Sequence, residues 1–246
     1  MTPATAVRKD AELAGWRFVS VNDGAMSSDD RAAFASALRL GASVPLPEMV
    51  FAHSSLVIER LSQNFVIRFD VVSALEQWAD AKAQHWDHTN YDFTYSSDYC
   101  GSVHRTSATE HGAISVVETS ESLPLEKLLQ RVEIMYYDRV LLFEDDVRDL
   151  GEIFLEVKTR AMDFGFLVLC RYYCRIDGKT VRLVDTRYYH EFGQDFVWRD
   201  QEHREATIAE LRQSQPYDPM HQLDLSADAI YISLKPAHVK TEKIFL

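Results

Sequence analysis

The sequence predicts an α+β fold dominated by antiparallel sheet, and three observations carry that reading. Several stretches alternate apolar and polar side chains with the period of a half-buried strand. Successive strand-like runs are joined locally, most tightly at Asp177-Gly178, while helical stretches stand apart, unlike a parallel βαβ arrangement. The 246 residues include nine glycines and no GxGxxG or Walker-type loop, so a phosphate-cradling nucleotide fold has no support. No repeat, low-complexity stretch or Pro/Gly/Ser linker divides the chain, and one domain over 1–246 is expected, irregular from 213 to 246.

In chain order, the first helix is expected near Asp29–Leu40. Ser27 or Ser28 can cap it, Asp29 and Asp30 suit the positive end of its dipole, and Gly41 ends it. Phe34, Ala37 and Leu38 form its apolar stripe. After Val44-Pro45-Leu46-Pro47 come strand-like runs at Ser55–Arg60 and Asn64–Asp70, the second alternating Phe65, Ile67 and Phe69 with Val66 and Arg68. A helix over Val72–His85 carries Leu75, Trp78 and Ala79 at helical spacing. Tyr91, Phe93 and Tyr95 alternate with Asp92, Thr94 and Ser96, Ile114–Val117 is short and β-branched, and Pro124 opens a brief helix to Gln130. Ile134–Phe143, Glu152–Met162, Phe166–Ile176 and Lys179–Glu191 read as successive antiparallel strands. A polar helix over Gln201–Arg212 precedes the irregular segment.

Composition narrows the function classes. With 38 acidic and 26 basic residues the net charge is −12, the wrong sign for nucleic acid or an anionic membrane surface. The longest apolar run, Phe164 to Cys170, is far too short to span a bilayer. Met1–Gly15 carries charges and no signal core, and Cys100, Cys170 and Cys174 have no framework spacing, so a reducing compartment is expected: cytoplasm, with the nucleus as a further location. No cofactor is expected.

The Asp177-Gly178 turn, taken as a two-residue hairpin loop, sets a register. Ile176 then faces Lys179, Cys174 faces Val181, Tyr172 faces Leu183 and Cys170 faces Asp185, an apolar set that reads as the core side. On the other side Arg175 sits by Thr180, Tyr173 by Arg182 and Arg171 by Val184. Arginines this close need an anion. Two readings stay open: internal pairing with the chain's own carboxylates, or a docking site for a carboxylate or acidic peptide, to which guanidinium forks are suited.

Catalytic patterns are weaker. The nine histidines include His85 and His88 beside Asp87, and His104 and His111 in a polar stretch, but none falls in HExxH, CxxC or HxH spacing. Cys170 and Cys174 would sit about 13 Å apart along a strand, too far to share a metal. No GxSxG elbow is present. Glu144, Asp145, Asp146 and Asp149 form an acidic run at a strand end, read as a solvated loop. The competing functional class is a small-molecule hydrolase using His104 or His111.

Several strings are uncommon: Leu46-Pro47-Glu48-Met49-Val50-Phe51, Tyr91 through Tyr99, Val140 through Asp146, Arg171 through Gly178, and Asp185 through Glu191. In content, order and spacing they resemble the TIP-forty-one-like (TIPRL) family of TOR-signalling regulators, from about Trp16 to Arg212. The resemblance implies a non-enzymatic α+β protein. It would bind catalytic subunits of type 2A-like serine/threonine phosphatases in TOR signalling and modulate them, with inhibition as the expected direction. A groove would receive the phosphatase's short, acidic, aromatic C-terminal tail. An adaptor of the Tap/alpha-four type is a further expected partner. Family contact residues fall on Leu123, Leu183, Asp185 and Arg187, and near Ser73, where the family typically has aspartate. Together with Arg171, Tyr173, Arg175 and Arg182 they form the expected phosphatase-binding set. Glu144, Asp145, Asp146 and Asp149 are a second expectation, an acidic loop facing the phosphatase's metal-containing active site. Leu183 and Asp185 lie on the side assigned to the core, so either that side opens at its far end or the register is one residue off.

Overall fold

In the computed structural model, residues 6–38, 46–82, 96–106, 114–214 and 223–246 are described. The chain runs β1 (Val7–Leu13), β2 (Trp16–Asn22), α1 (Ser28–Ala37), β3 (Met49–Val50), β4 (Ser55–Arg60), β5 (Phe65–Asp70), α2 (Val71–Lys82), β6 (Ser102–Arg105), β7 (Val116–Glu118), α3 (Leu125–Leu128), β8 (Ile134–Asp145), β9 (Gly151–Met162), β10 (Gly165–Ile176), β11 (Thr180–Glu191), β12 (Phe196–Thr207), α4 (Ile208–Ser214), α5 (Ala227–Ser233) and β13 (His238–Phe245). The strands form two sheets, β1-β2-β4-β5-β6 and β3-β8-β9-β10-β11-β12-β13-β7, and all pairings are antiparallel. The α+β class is as expected.

The two sheets share one core. Trp16 of β2 packs edge-on to Phe65 and Phe166 and lies 4.7 Å from the His190 ring, while Phe18 stacks on Tyr136, so small-sheet aromatics sit directly on large-sheet strands. From β10 this core takes Phe166, Val168, Cys170, Tyr172, Cys174 and Ile176, and from β11 Val184 and Tyr188. Burying each such side chain contributes about 1.5–3 kcal/mol before entropy is charged against it. The opposite face of the large sheet carries two smaller clusters. Tyr173, Val181 and Leu183 pack with Leu211 and Ile230, and Leu123 and Leu128 pack with Tyr189 and Trp198. Both faces of the central strands are therefore covered, the second by α3, α4, α5 and their flanking segments.

Several expectations are corrected. The hairpin pairs Ile176 with Thr180, not Lys179, which shifts the register by one: Arg171 faces Asp185, Tyr173 faces Leu183 and Cys174 faces Arg182. A type I′ turn needs positive φ at both central residues, and here only Gly178 has it, at +72°. The turn's neighbours supply the reason. Asp177 N–H donates to Leu150 O at 2.8 Å, and Lys179 O accepts from Ile208 N–H at 2.9 Å, so both ends of a three-residue loop are tied outward and Lys179 belongs to it. Arg182 consequently leaves the face of Arg171 and Arg175, and Leu183 and Asp185 join it.

The expected helix over Gln201–Arg212 is strand to Thr207 and helix only from Ile208. Two of its charged residues take cross-strand partners on β11, Glu202 from Arg187 and Glu205 from Arg182, which single-chain polarity does not show. The segment 213–246 is not irregular throughout, since it contains α5 and β13. The β1–β2 hairpin was not anticipated; its Ala14-Gly15 turn has φ of +52° and +79°. Gly41, His85, Asp87, His88, Tyr91–Tyr95 and His111 lie outside the described residues.

Candidate functional site: an ion-paired arginine face

Alternation along β10, β11 and β12 brings Arg171, Asp185, Arg187, Asp200, Glu202 and Arg204 to one face of the large sheet. Arg171 and Asp185 are directly opposed and form a two-point pair, Nε–Oδ1 and Nη2–Oδ2 both at 2.8 Å. The third guanidinium nitrogen, Nη1, reaches Asp228 Oδ1 of α5 at 2.6 Å. Arg187 donates to Asp200 Oδ2 through Nε at 3.0 Å and Nη2 at 2.7 Å, also pairs with Glu202, and reaches Tyr231 Oη through Nη1 at 3.2 Å. Arg204 Nη2 lies 2.6 Å from Glu202 Oε2, its Nε donates to Leu234 O at 2.9 Å, and its guanidinium sits 4.3 Å from the Tyr231 ring centre. Arg171 is 5% exposed and Asp185 1%.

Charges this dry survive only when paired. Burial alone would lower the Arg171 pKa, but Asp185 and Asp228 outweigh it and hold it above the ordinary arginine value. Arg187 is likewise raised against burial by Asp200 and Glu202. Burial pushes Glu202 upward, and Arg187 and Arg204 reverse this, so its carboxyl ends below the usual glutamate value. Chemically, the face presents guanidinium forks to carboxylates, and the chain itself supplies those carboxylates.

The cover over this face is residues 223–234. Leu223, Leu225, Ala227, Tyr231 and Leu234 pack around buried Ile230, Tyr173, Val181 and Leu183, and Tyr173 Oη donates to Leu225 O. Ser226 caps α5 by accepting from Ala229 N–H at 3.3 Å. Sequence reasoning missed Asp200, Glu202, Arg204, Asp228 and Tyr231. The alternation of Asp200, Glu202 and Arg204 with Gln201 and His203 was a period-2 signal, masked by high polarity.

The other expected residues are scattered. Arg175 is on the Arg171 side but at the strand end, paired with Asp177 at 2.9 Å and Glu152 at 3.4 Å. It lines a separate cavity of about 370 Å³ with Glu48, Glu144, Asp145, Asp146 and Phe154. Arg182 is on the opposite face, held by Glu205 through two 3.0 Å bonds. Leu123 packs with Tyr189 and Trp198. Ser73 lies in the first turn of α2, where Asp70 Oδ1 accepts its N–H at 2.9 Å and its hydroxyl is 3.3 Å from Tyr99 Oη.

In the acidic run, Asp145 Oδ1 accepts from Val147 N–H at 2.7 Å and Asp146 Oδ1 from Arg148 N–H at 2.9 Å. These bonds hold a turn in which Val147, Arg148 and Asp149 all have positive φ. The carboxylates of Glu48, Asp145 and Asp146 come within 4.8 Å of one another, the one such grouping of possible metal ligands among the described residues. Asp146 beside it raises the Glu48 pKa, and burial raises that of Asp145. His104 is exposed on β6, opposite Val66.

Fold and site together define a two-sheet α+β protein whose large sheet carries a buried arginine–carboxylate face, closed by a short segment of the same chain. The sequence profile of the TIP41-like family matches residues 49–212. The chain is 33% identical over 221 residues to the TIP41-like protein of Homo sapiens, covering 82% of this chain and 78% of that one. It is 32% identical to the Rattus norvegicus TIP41-like protein, over 85% and 81% of the two chains. It is also 30% identical to the Saccharomyces cerevisiae protein named Type 2A phosphatase activator TIP41, over 71% and 58%. This chain belongs to the TIP41-like family.

Proposed function

We propose that this chain is a non-enzymatic regulator that binds the catalytic subunit of a type 2A-like serine/threonine phosphatase, in part through that subunit's acidic C-terminal tail. Family membership supports the phosphatase as partner, because yeast relatives carry the name Type 2A phosphatase activator. The observation that carries the tail reading is the arginine face, where Arg171 holds Asp185 at two points and takes a further carboxylate from Asp228. A free carboxylate is what such a fork receives well. The test compares a purified catalytic subunit with and without its last residues for binding to the full chain. Equal affinity for both would remove the tail from the reading, and no binding of either would remove the phosphatase. Phosphatase activity in the same titration decides between inhibition, the direction expected from the resemblance, and the activation carried in the relatives' names.

The clustered carboxylates of Glu48, Asp145 and Asp146 favour a second contact, in which this acidic loop approaches the phosphatase's metal-containing active site. Asp145 and Asp146 both hold the turn, so the informative variant combines Glu48→Gln, Glu144→Gln, Asp146→Asn and Asp149→Asn, which keeps the accepting oxygen at position 146 and leaves Asp145 in place. Undiminished inhibition by that variant would exclude the contact.

A further inference from the structure

Three of the residues expected to touch a partner are shut away. Leu183 is fully buried, Asp185 is 1% exposed, and the side chain of Arg187 is 11% exposed. What shuts them is an acidic and aromatic stretch of the chain, Asp224 to Leu234, which places a carboxylate on Arg171 and a tyrosine on Arg187 and Arg204. The cover has the chemistry of the ligand.

We propose that residues 223–234 are a built-in pseudo-ligand: they occupy the arginine face in the free protein and are displaced when an acidic, aromatic peptide tail docks there. The inference rests on the phosphatase reading above for the identity of that tail, and adds how the site is regulated. Three observations support displacement of the cover. The helix α5 is seven residues long, and Ile230 is its one buried residue, whereas isolated helices of that length are unstable in water. The side chain of Asp228 is 84% exposed, so water competes directly for its bond to Arg171. Arg204 Nη1 is buried and has no hydrogen-bond partner among the described residues, so the intramolecular fit leaves a donor that a more acidic occupant can satisfy.

A closed site weakens apparent affinity by the fraction of molecules that are open. Loosening the cover should therefore strengthen binding, although Asp228 itself belongs to the face. The experiment uses the full chain and its Asp228→Ala variant, checked for an unchanged melting temperature. Each is titrated with a purified phosphatase catalytic subunit, and amide hydrogen exchange of residues 226–234 is followed with and without it.

The proposal expects the variant to bind about five-fold tighter, the scale of losing one exposed ion pair that held the site closed. It also expects binding to accelerate exchange across 226–234 in both proteins. That second reading separates displacement from the simple removal of a negative charge. If the subunit binds while 226–234 stays protected, or if the variant binds no tighter, the segment is a fixed wall; the inference is then overturned and the phosphatase reading stands. If neither protein binds the subunit, both fall together.

Discussion

The two faces of the β10–β11 hairpin come from the same two strands and are built on opposite principles. On one, Cys170, Tyr172, Cys174 and Ile176 of β10 join Val184 and Tyr188 of β11 in the shared core. On the other, one residue out of phase, Arg171 meets Asp185 and Arg187 meets Asp200 and Glu202. The first face is stabilised by transfer from water, which is non-directional and tolerates repacking. The second removes charges from water at a cost that only well-aimed partners offset. An apolar face of this kind stabilises the fold, whereas a paired charged face contributes little net stability for the desolvation it costs.

The largest expected effect breaks the comparison outright. Deleting Thr180 while the three-residue loop stays would put Val181 opposite Ile176 and move β11 one position along β10, exchanging the residues that face core and arginine network. The expected result is loss of a cooperative unfolding transition by denaturant titration. A variant that unfolds cooperatively at the wild-type midpoint would show that register is set elsewhere.

Next comes Asp185→Ala, which leaves buried Arg171 with only the exposed Asp228 and should cost about 3–5 kcal/mol in denaturant unfolding. On the apolar face Phe166→Ala should cost a similar amount, by leaving a cavity. The difference lies in rescue. Replacing Arg171 and Asp185 together by Met and Leu should recover much of the loss, because no unpaired charge remains, whereas no single charge change elsewhere should rescue Phe166→Ala.

A third prediction uses pH. Glu202 has a folded pKa below its ordinary 4.5, so its contribution is fully present above that value and is lost as pH falls through the depressed folded value. Glu202→Gln should therefore be less stable than wild type at neutral pH, with the gap closing below about 4.5. A gap constant down to pH 2 would remove Glu202 from the ionic network. The smallest effect is Gly178→Ala. The new methyl meets nothing within 4 Å, so only the positive φ opposes it, and the cost should be about 1 kcal/mol without change of register.

Much of the strand framework was legible. The runs at Ile134–Phe143, Glu152–Met162, Phe166–Ile176 and Lys179–Glu191 begin and end close to β8, β9, β10 and β11, because alternation is a local property of a half-buried strand. The strand β12 was not legible, because Asp200, Glu202 and Arg204 look solvent-facing until Arg187 on the neighbouring strand is known. At the site, Arg171, Asp185 and Arg187 could be picked out but not placed together. Asp228 and Tyr231 lie 57 and 44 positions from the arginines they meet, and no local pattern joins residues so far apart.

The sequence by itself determined the α+β class, the four central strands and which residues share a side within each strand, since the pleat alternates with period two whatever surrounds it. Only the tertiary structure decided how those strands are offset and what covers them. The offset depends on which neighbours take the Asp177 N–H and the Lys179 carbonyl, here Leu150 and Ile208. The cover depends on whether carboxylates remote in the chain reach buried guanidinium groups. Both are choices among long-range partners for groups that cannot stay unpaired away from water.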